Sequence, residues 1–389
     1  MTKPHAVIIG GGVAGLAAAW WLDKAGWQST IIERAKSLRN KGYMVSLTGL
    51  GYETVKKMDL YDRLKAISYT IDENIYKNSK GKELIRLHYR DFVNDLPYLA
   101  VRRSDLVTVL ADALPVGAKL CPDTYVLTLE KSADGYKIDL NNHDILHCNM
   151  VLGCDGLRSS LRQQYFDRDG KSLQPLGYCF AVYDINHVKD FDYDFLSYVE
   201  PRHFAEYYSL HDGKLAALHI WRDERSNPHI TADGYQLLKE IVRESNQQVR
   251  ELLSIAQKEA SPILVDSLTM VDLPEWYNGK MLLLGDAAHC LTLISGQGAG
   301  MALASSEMLG NALAKYQNIE QAFTVHDRQL RPIIRRLQER TRKMAPMFVP
   351  ATAFTFHLRN IVLKFMPKSW LYHYFTNAVK SEIALTHSQ

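Results

Sequence analysis

No stretch of this 389-residue sequence approaches the roughly 18 consecutive apolar residues that would span a bilayer, so no stable membrane insertion is expected. Lys and Arg exceed Asp and Glu by only three, 46 against 43, and no long basic run is interleaved with aromatics. A nucleic-acid partner is therefore not expected. The five cysteines, Cys121, Cys148, Cys154, Cys179 and Cys290, form no CxxC pair, and an odd number cannot all pair within one chain. They read as reduced thiols of a cytoplasmic protein. A basic segment leading into an apolar run with a cleavage site is missing from the N-terminus, where a strand and a glycine turn begin almost at once, so a soluble, unprocessed protein is expected. The HExxH and paired CxxC spacings of metal sites are absent, as is the GxSxG elbow of hydrolases. Neither internal repeats nor a low-complexity linker is visible, which favours interleaved domains over tethered ones.

An apolar fraction of 47% is ample for a large core. Residues 5–34 read as strand, glycine turn, amphipathic helix and second strand, a parallel βαβ unit: Ala6 to Ile9, then Leu16 to Ala25, then Ser29 to Ile32. A helix is expected at about 48–66, strands near 71–77 and 84–89, and a helix from Ser104, its N-cap, to Leu114. Thr124 to Leu146 reads as a hairpin around Asp134-Gly135, and Met150 to Gly153 as a buried strand. From Gly177 to Trp221 the runs rich in Tyr, Phe and Val suggest an antiparallel sheet, followed by helix over 234–257. Lys280 to Gly285 returns to a buried parallel strand, and beyond about 318 the chain reads as helices interrupted by Pro332, Pro346, Pro350 and Pro367.

Gly10, Gly12 and Gly15 stand in the G-x-G-x-x-G spacing, for a tight strand-to-helix turn, close approach of backbone N–H groups to phosphate oxygens, and close helix packing. Val13 and Ala14 lie in the first turn of the helix, whose positive dipole end faces a diphosphate. Glu33, followed by Arg34, closes the second strand, where a carboxylate accepts from adenosine ribose hydroxyls. This motif alone leaves FAD and NAD both open.

Two further elements bear on that choice. Gly153 to Arg162 contains Asp155-Gly156 after a buried strand, which as an isolated feature reads equally as a turn into a helix capped by Ser159. Gly285-Asp286-Ala287-Ala288-His289 is followed by Gly296, Gln297, Gly298, Ala299 and Gly300. An Asp at a strand end suits a ribityl hydroxyl, and a glycine-rich helix start lets N–H groups approach the electron-poor edge of an isoalloxazine.

In this order and at these intervals the elements resemble the class A flavoprotein monooxygenases typified by para-hydroxybenzoate hydroxylase. The resemblance rests on residues 5–34, 101–106, 150–162 and 281–305, with the Arg-x-Asp-Leu helix start present as Arg103-Ser104-Asp105-Leu106. It implies an α/β fold: an FAD-binding Rossmann-like domain of the GR2 type, interleaved with an antiparallel-sheet substrate domain, plus C-terminal helices. The expected division is 1–70, 100–170 and 266–317 for FAD, 71–99 and 171–265 for substrate, and 318–389 as a helical segment that could serve as a lid.

The resemblance further implies FAD as resident cofactor, with Glu33 on the adenosine ribose, Arg103 along the ribityl and phosphate path and Asp286 on the ribitol or phosphate. Residues 296–300 would lie at the flavin ring, Asp155-Gly156 within reach of cofactor and nicotinamide, and Arg39 near a mobile flavin. NADPH or NADH would be a transient reductant and O₂ the oxidant, trapped as a flavin C4a-hydroperoxide. Two positions depart from the family pattern, Leu293 for Pro and Gly300 for Asn.

The substrate is expected against the middle sheet, with Arg202, His203, Tyr207, Tyr208, His219, Trp221 and Arg222 as candidates, although such residues also fill half-buried sheet faces. Chain length, the helical tail over 318–385 and the segment SLRNKGYMVSLTGLG are similar to the tetracycline destructases. A monomer acting on a polycyclic aromatic or phenolic small molecule is expected, with another phenolic or polyketide product, or a reductase without oxygenation, as alternatives.

Overall fold

The computed structural model describes residues 3–38, 43–88, 97–186, 188, 191–223 and 233–365. The strand His5–Ile9 is apolar from Ala6 onward and pairs in parallel on both sides, with Gln28–Ile32 and Met150–Gly153. Covered strands of a parallel sheet need such runs because both faces are dry. The complete sheet runs Tyr277–Asn278, Met281–Leu283, Met150–Gly153, His5–Ile9, Gln28–Ile32, Ala118–Cys121.

Register determines what gathers at its edge. Ile9 pairs with both Ile32 and Gly153, and Gly153 with Leu283. The residues that follow, Gly10, Glu33, Cys154 and Leu284, therefore emerge side by side at the carboxyl ends, where ligands of open α/β sheets bind. The helix Val13–Lys24 buries Ala17, Ala18 and Ala19, whose small side chains allow close packing on the helix Gly298–Lys315. At the crossing, a Cβ on Gly310 would stand 2.7 Å from that of Trp21.

The second large sheet has seven strands in the order Leu264–Val271, Leu173–Ile185, Leu215–Arg222, His203–Ser209, Phe195–Glu200, Glu73–Lys77, Glu83–His88. Its outer face, including Ala181, Tyr183, Ala205, Tyr207, Ala217 and Trp221, buries against the helices Gly234–Ile241 and Gln247–Lys258. The inner face, through Phe180, Phe204 and Ile220, packs on Ile294, Ala345 and Val349. The boundary expected at 265/266 falls inside the strand Leu264–Val271, which pairs with Leu173–Ile185 and so belongs to this sheet.

Four local expectations need correction. Ser104, expected as an N-cap, lies inside the helix Arg103–Asp112, whose N-cap is Arg102. The helix read over 48–66 is two helices, Gly49–Lys57 and Tyr61–Ala66, because Asp59 turns the chain with a φ of 57°. The expected hairpin over 124–146 gains a third strand and becomes the meander Val126–Lys131, Tyr136–Leu140, Ile145–Cys148. Pro332 and Pro346 do not interrupt the helix Ile319–Phe348 but lie within it. A proline removes one N–H bond, and burial of Leu330, Ile333, Ile334 and Leu337 holds the rest of the helix in place. Pro350 follows the end of that helix, and Pro367 lies outside the described residues. Among the described residues no helix is long and apolar enough to cross a membrane.

Candidate functional site

The glycine turn is built by close approach. Gly10 has a φ of 112°, and a Cβ on it would lie 2.3 Å from the Cys154 carbonyl oxygen. A Cβ on Gly15 would lie 2.0 Å from the Gly10 carbonyl oxygen. The helix that follows has Gly12 as N-cap and no side-chain cap, and its first internal bond runs from Leu16 N–H to Gly12 oxygen, 3.0 Å. The amides ahead of that bond, which include Val13 and Ala14, are the uncapped donors of a helix N-terminus, suited to an anion. Arg103 Nη2 lies 4.0 Å from the position a Gly12 Cβ would occupy, adding a guanidinium beside the turn.

Glu33 is oriented by two backbone donors, Gly11 N–H to Oε2 at 2.7 Å and Ala35 N–H to Oε1 at 2.8 Å. Each oxygen keeps a lone pair for a diol. Arg34 is exposed beside it. Gly285, at φ 58°, is pressed so closely on the same helix that its Cβ would lie 2.9 Å from the Ala14 Cβ. Asp286 follows, open to the groove although the chain encloses it on its other sides. That enclosure raises its pKa, with the Arg103 guanidinium opposing.

Asp155 reconciles two readings of its turn. Its Oδ2 accepts from Ser160 N–H at 2.8 Å and Leu161 N–H at 3.3 Å, and Ser159 Oγ accepts from Arg162 N–H at 2.9 Å, so both act as helix caps. The other carboxylate oxygen, Oδ1, is buried without a partner. Gly156 follows with a φ of 80°.

Arg162, which the sequence reading gave no role, is 3% exposed and donates through Nη1 to the Ala287 carbonyl (3.1 Å) and through Nη2 to the Leu157 carbonyl (2.5 Å). One buried guanidinium thus ties the Asp155 turn to the Asp286 turn. His289 is buried against Trp276, 5.0 Å between ring centroids, and desolvation pushes its pKa down to about 3. It is a neutral packing residue.

The segment before the last glycines is strained. Thr292 has φ 67° and ψ 166°, a region occupied almost only by glycine, and its buried Oγ1 has no partner. Thr292→Gly is expected to raise stability by about 1–3 kcal/mol, read as a higher unfolding midpoint in urea. An unchanged midpoint would show that the backbone is not strained there. Gly296 follows at φ 65°; Gln297 N–H donates to Ser295 Oγ at 3.1 Å and its Nε2 to Thr48 Oγ1 at 3.3 Å. Gly298 and Ala299 open the next helix, and a Cβ on Gly298 would lie 3.9 Å from Asp286 Oδ1.

Gly300 of that helix meets Gly51 backbone to backbone. A Cβ on Gly51 would lie 2.4 Å from Gly300 Cα, whereas one on Gly300 would reach only ordinary contact, 3.6 Å from Gly51 Cα.

The expected substrate residues do not share one face. Tyr207, Trp221, His203 and His219 point to the outer face. There His219 bonds His203 (Nδ1 to Nε2, 3.1 Å) and Tyr183 (Nε2 to Oη, 2.9 Å), and burial keeps it neutral. Alternation along the strand set this: residues two apart share a face, and the helices Gly234–Ile241 and Gln247–Lys258 cover theirs. Tyr208 and Arg222 lie on the inner face; Arg222 Nε donates to the Val349 carbonyl at 2.8 Å and its guanidinium stacks on Tyr178. Arg202 sits at a turn with φ 66°, exposed, its N–H on the Pro350 carbonyl. Arg39 lies outside the described residues.

The arrangement fits an extended dinucleotide, since the close approaches at Gly10 and Gly15 bring strand and helix together behind the turn while Gly12 leaves the uncapped amides and Arg103 facing a groove that a side chain there would enter. Comparison with known proteins agrees. The FAD binding domain family matches residues 3–328. A flavin-dependent monooxygenase from an unknown prokaryotic organism is 26% identical over 338 residues, covering 85% of this chain and 87% of its own. One from Legionella longbeachae is 24% identical, covering 84% and 85%.

Among solved structures, the tetracycline destructase Tet(51) superposes with a TM-score of 0.81 at 19% identity, covering 99% of this chain and 98% of its own. Klebsiella pneumoniae HpxO, complexed with FAD and uric acid, gives 0.83 at 16%, covering 97% of each. These likenesses show the fold, an α/β arrangement of the para-hydroxybenzoate hydroxylase type. With the family matched over most of its length and the cradle formed at the sheet edge, this chain belongs to the FAD binding domain family of flavin-dependent monooxygenases.

Proposed function

We propose that the protein takes electrons from NADPH or NADH and inserts one atom of O₂ into a polycyclic aromatic or phenolic compound, with tetracyclines as the first substrate class to test. The observation that carries this reading is the convergence of three separate turns, at Gly10–Gly15, Asp155-Gly156 and Asp286 with 296–300, on one sheet edge. The fold shared with Tet(51) supports the substrate class.

On this reading the amides of Gly12, Val13, Ala14 and Gly15, with Arg103, hold the diphosphate, and Glu33 holds the adenosine ribose. Asp286 takes the ribityl hydroxyls, and Asp155 offers its unpaired oxygen nearby. Gly296, Gln297, Gly298, Ala299 and Gly300 present backbone N–H groups to the ring edge, where negative charge accumulates on reduction. When bound, FAD supplies the redox chemistry; the chain's own task is to orient substrate and exclude water. The inner sheet face suits that task where Leu218 and Tyr76 are partly exposed, next to the sealed apolar row Phe180, Ile220, Phe204, Val199. Residues 1–70, 100–170 and 272–317 would serve the cofactor, 71–99 and 171–271, with the whole strand Leu264–Val271, the substrate, and the helices beyond 318 would close over it.

The test is direct. Purified protein should show flavin absorbance, and incubation with NADPH, NADH, tetracyclines and simple phenols should give a product heavier by one oxygen. Reductant consumption without an oxygenated product from any of them would favour a reductase. Product from phenols alone would retain the monooxygenase and remove the tetracycline assignment.

A further inference from the structure

The inner sheet face contains one acid whose charge no described neighbour offsets. Pairing register places Val182, Leu218, Glu206, Ser197 and Tyr76 in a single row across five strands. Glu206 is third of the five, on the strand His203–Ser209 in the middle of the sheet, where an inward side chain is ordinarily sealed. It is nevertheless partly exposed, as are Leu218 and Tyr76 beside it. Solvent therefore reaches this part of the face.

Among the described residues no cation is paired with Glu206. On its own strand, Tyr208 Oη donates to Glu206 Oε2 at 3.3 Å. Opposite it, Ser197 has committed its hydroxyl proton to Asn74 Oδ1 at 3.0 Å. The strand Leu215–Arg222 contributes Ala216, Leu218 and Ile220, and then Arg222, which donates to the Val349 carbonyl. Asp184 of the strand Leu173–Ile185 holds Arg102 at 2.5 Å. From the helix Ala353–Phe365, Arg359 donates to the Met347 carbonyl at 3.0 Å and to Asn360. Enclosure without a counter-charge holds the Glu206 carboxyl up at about 8.

An acid in that position is costly to ionise unless a ligand completes it. We propose that Glu206 is the recognition residue for a protonated nitrogen on the substrate, so that the favoured substrates are planar ring systems bearing a basic amine. This rests on the monooxygenase reading above, which places substrate on this face. The ammonium seats on the carboxylate, the carboxyl releases its proton to solvent, and the partly exposed Leu218 and Tyr76 of the same row receive the rings. Ion pairing then offsets a desolvation that neutral substrates would leave uncompensated.

Calorimetric titration of the FAD-loaded protein with two matched pairs tests this: tetracycline against 4-dedimethylaminotetracycline, and 9-aminoacridine against acridone. The cationic member should bind at least about tenfold tighter at pH 8, with affinity rising between pH 6 and pH 8 as ionisation of Glu206 ceases to cost. At pH 7, titrations in two buffers of different ionisation enthalpy should report a proton released on binding. Glu206→Gln should abolish the preference and its pH dependence, and Glu206→Asp should retain both at weaker affinity.

Equal binding of neutral members at pH 8, persistence of the preference in Glu206→Gln, or no binding by either pair overturns the proposal. Should Glu206→Gln fail to fold, wild-type proton release decides alone. Oxygenated product is read separately: product without amine preference overturns the Glu206 assignment and leaves the monooxygenase, whereas preference without product does the reverse.

Discussion

Gly15→Ala should destabilise the protein by more than about 3 kcal/mol and yield protein that purifies without flavin, although helix propensity predicts a gain of about 1 kcal/mol. Gly15 sits in the first turn of the helix Val13–Lys24. On an open helix surface the added methyl would restrict the unfolded chain and stabilise. Here it would lie 2.0 Å from the Gly10 carbonyl oxygen and 3.2 Å from Ile8 Cγ2. Neither backbone can yield alone, because Gly10 N–H donates to the Ile32 carbonyl at 2.8 Å and Gly10 is itself pressed on Cys154. The strand and helix must separate, which dismantles the diphosphate cradle. Unfolding in urea and flavin absorbance per mole of protein measure the two effects; a variant of unchanged midpoint that retains flavin would show that the turn tolerates a side chain.

Arg162→Met should cost about 3 kcal/mol and weaken FAD retention, because two buried carbonyls, Leu157 and Ala287, lose their donor together. Methionine fills much of the volume, so the loss reports hydrogen bonding more than packing. Arg162→Lys should recover little of it, since an ammonium lacks the planar fork that reaches both carbonyls. Urea midpoints of the two variants, with FAD titrations of the apoprotein, provide the comparison. If Lys restored both stability and FAD affinity, a single point charge would suffice and the bridging role would fall.

Much of the nucleotide half was legible because its signals are local. A buried strand, three glycines at fixed spacing, a helix of small residues and a terminal acid each follow from chain geometry over some 30 residues, and the register Ile9–Ile32 places them as read. The substrate half was less legible. Alternation along His203–Ser209 shows that Tyr207 and Tyr208 face opposite ways, but which face a helix covers is decided by residues 234–258, far along the chain.

Glu206 is illegible in the sequence for the same reason. An acid flanked by Phe204 and Tyr208 at spacing two reads as the polar side of a half-exposed strand, and only the third dimension turns that side inward. The continuity of the helix Ile319–Phe348 through Pro332 and Pro346 is not legible locally, because it depends on burial along the whole helix.

The contact between Gly51 and Gly300 carries a rule for how this sequence is free to drift. Its two glycines are unequal: position 51 is locked by the backbone opposite, while position 300 has room for a side chain at ordinary contact distance. Lineages should therefore exchange glycine for larger residues at 300 without any compensating change and hold glycine at 51 throughout. A side chain at 51 would be tolerated only where the two helix starts had already moved apart, and with them the loop from Thr292 to Gln297, so variation at 51 would mark chains that seat their cofactor differently.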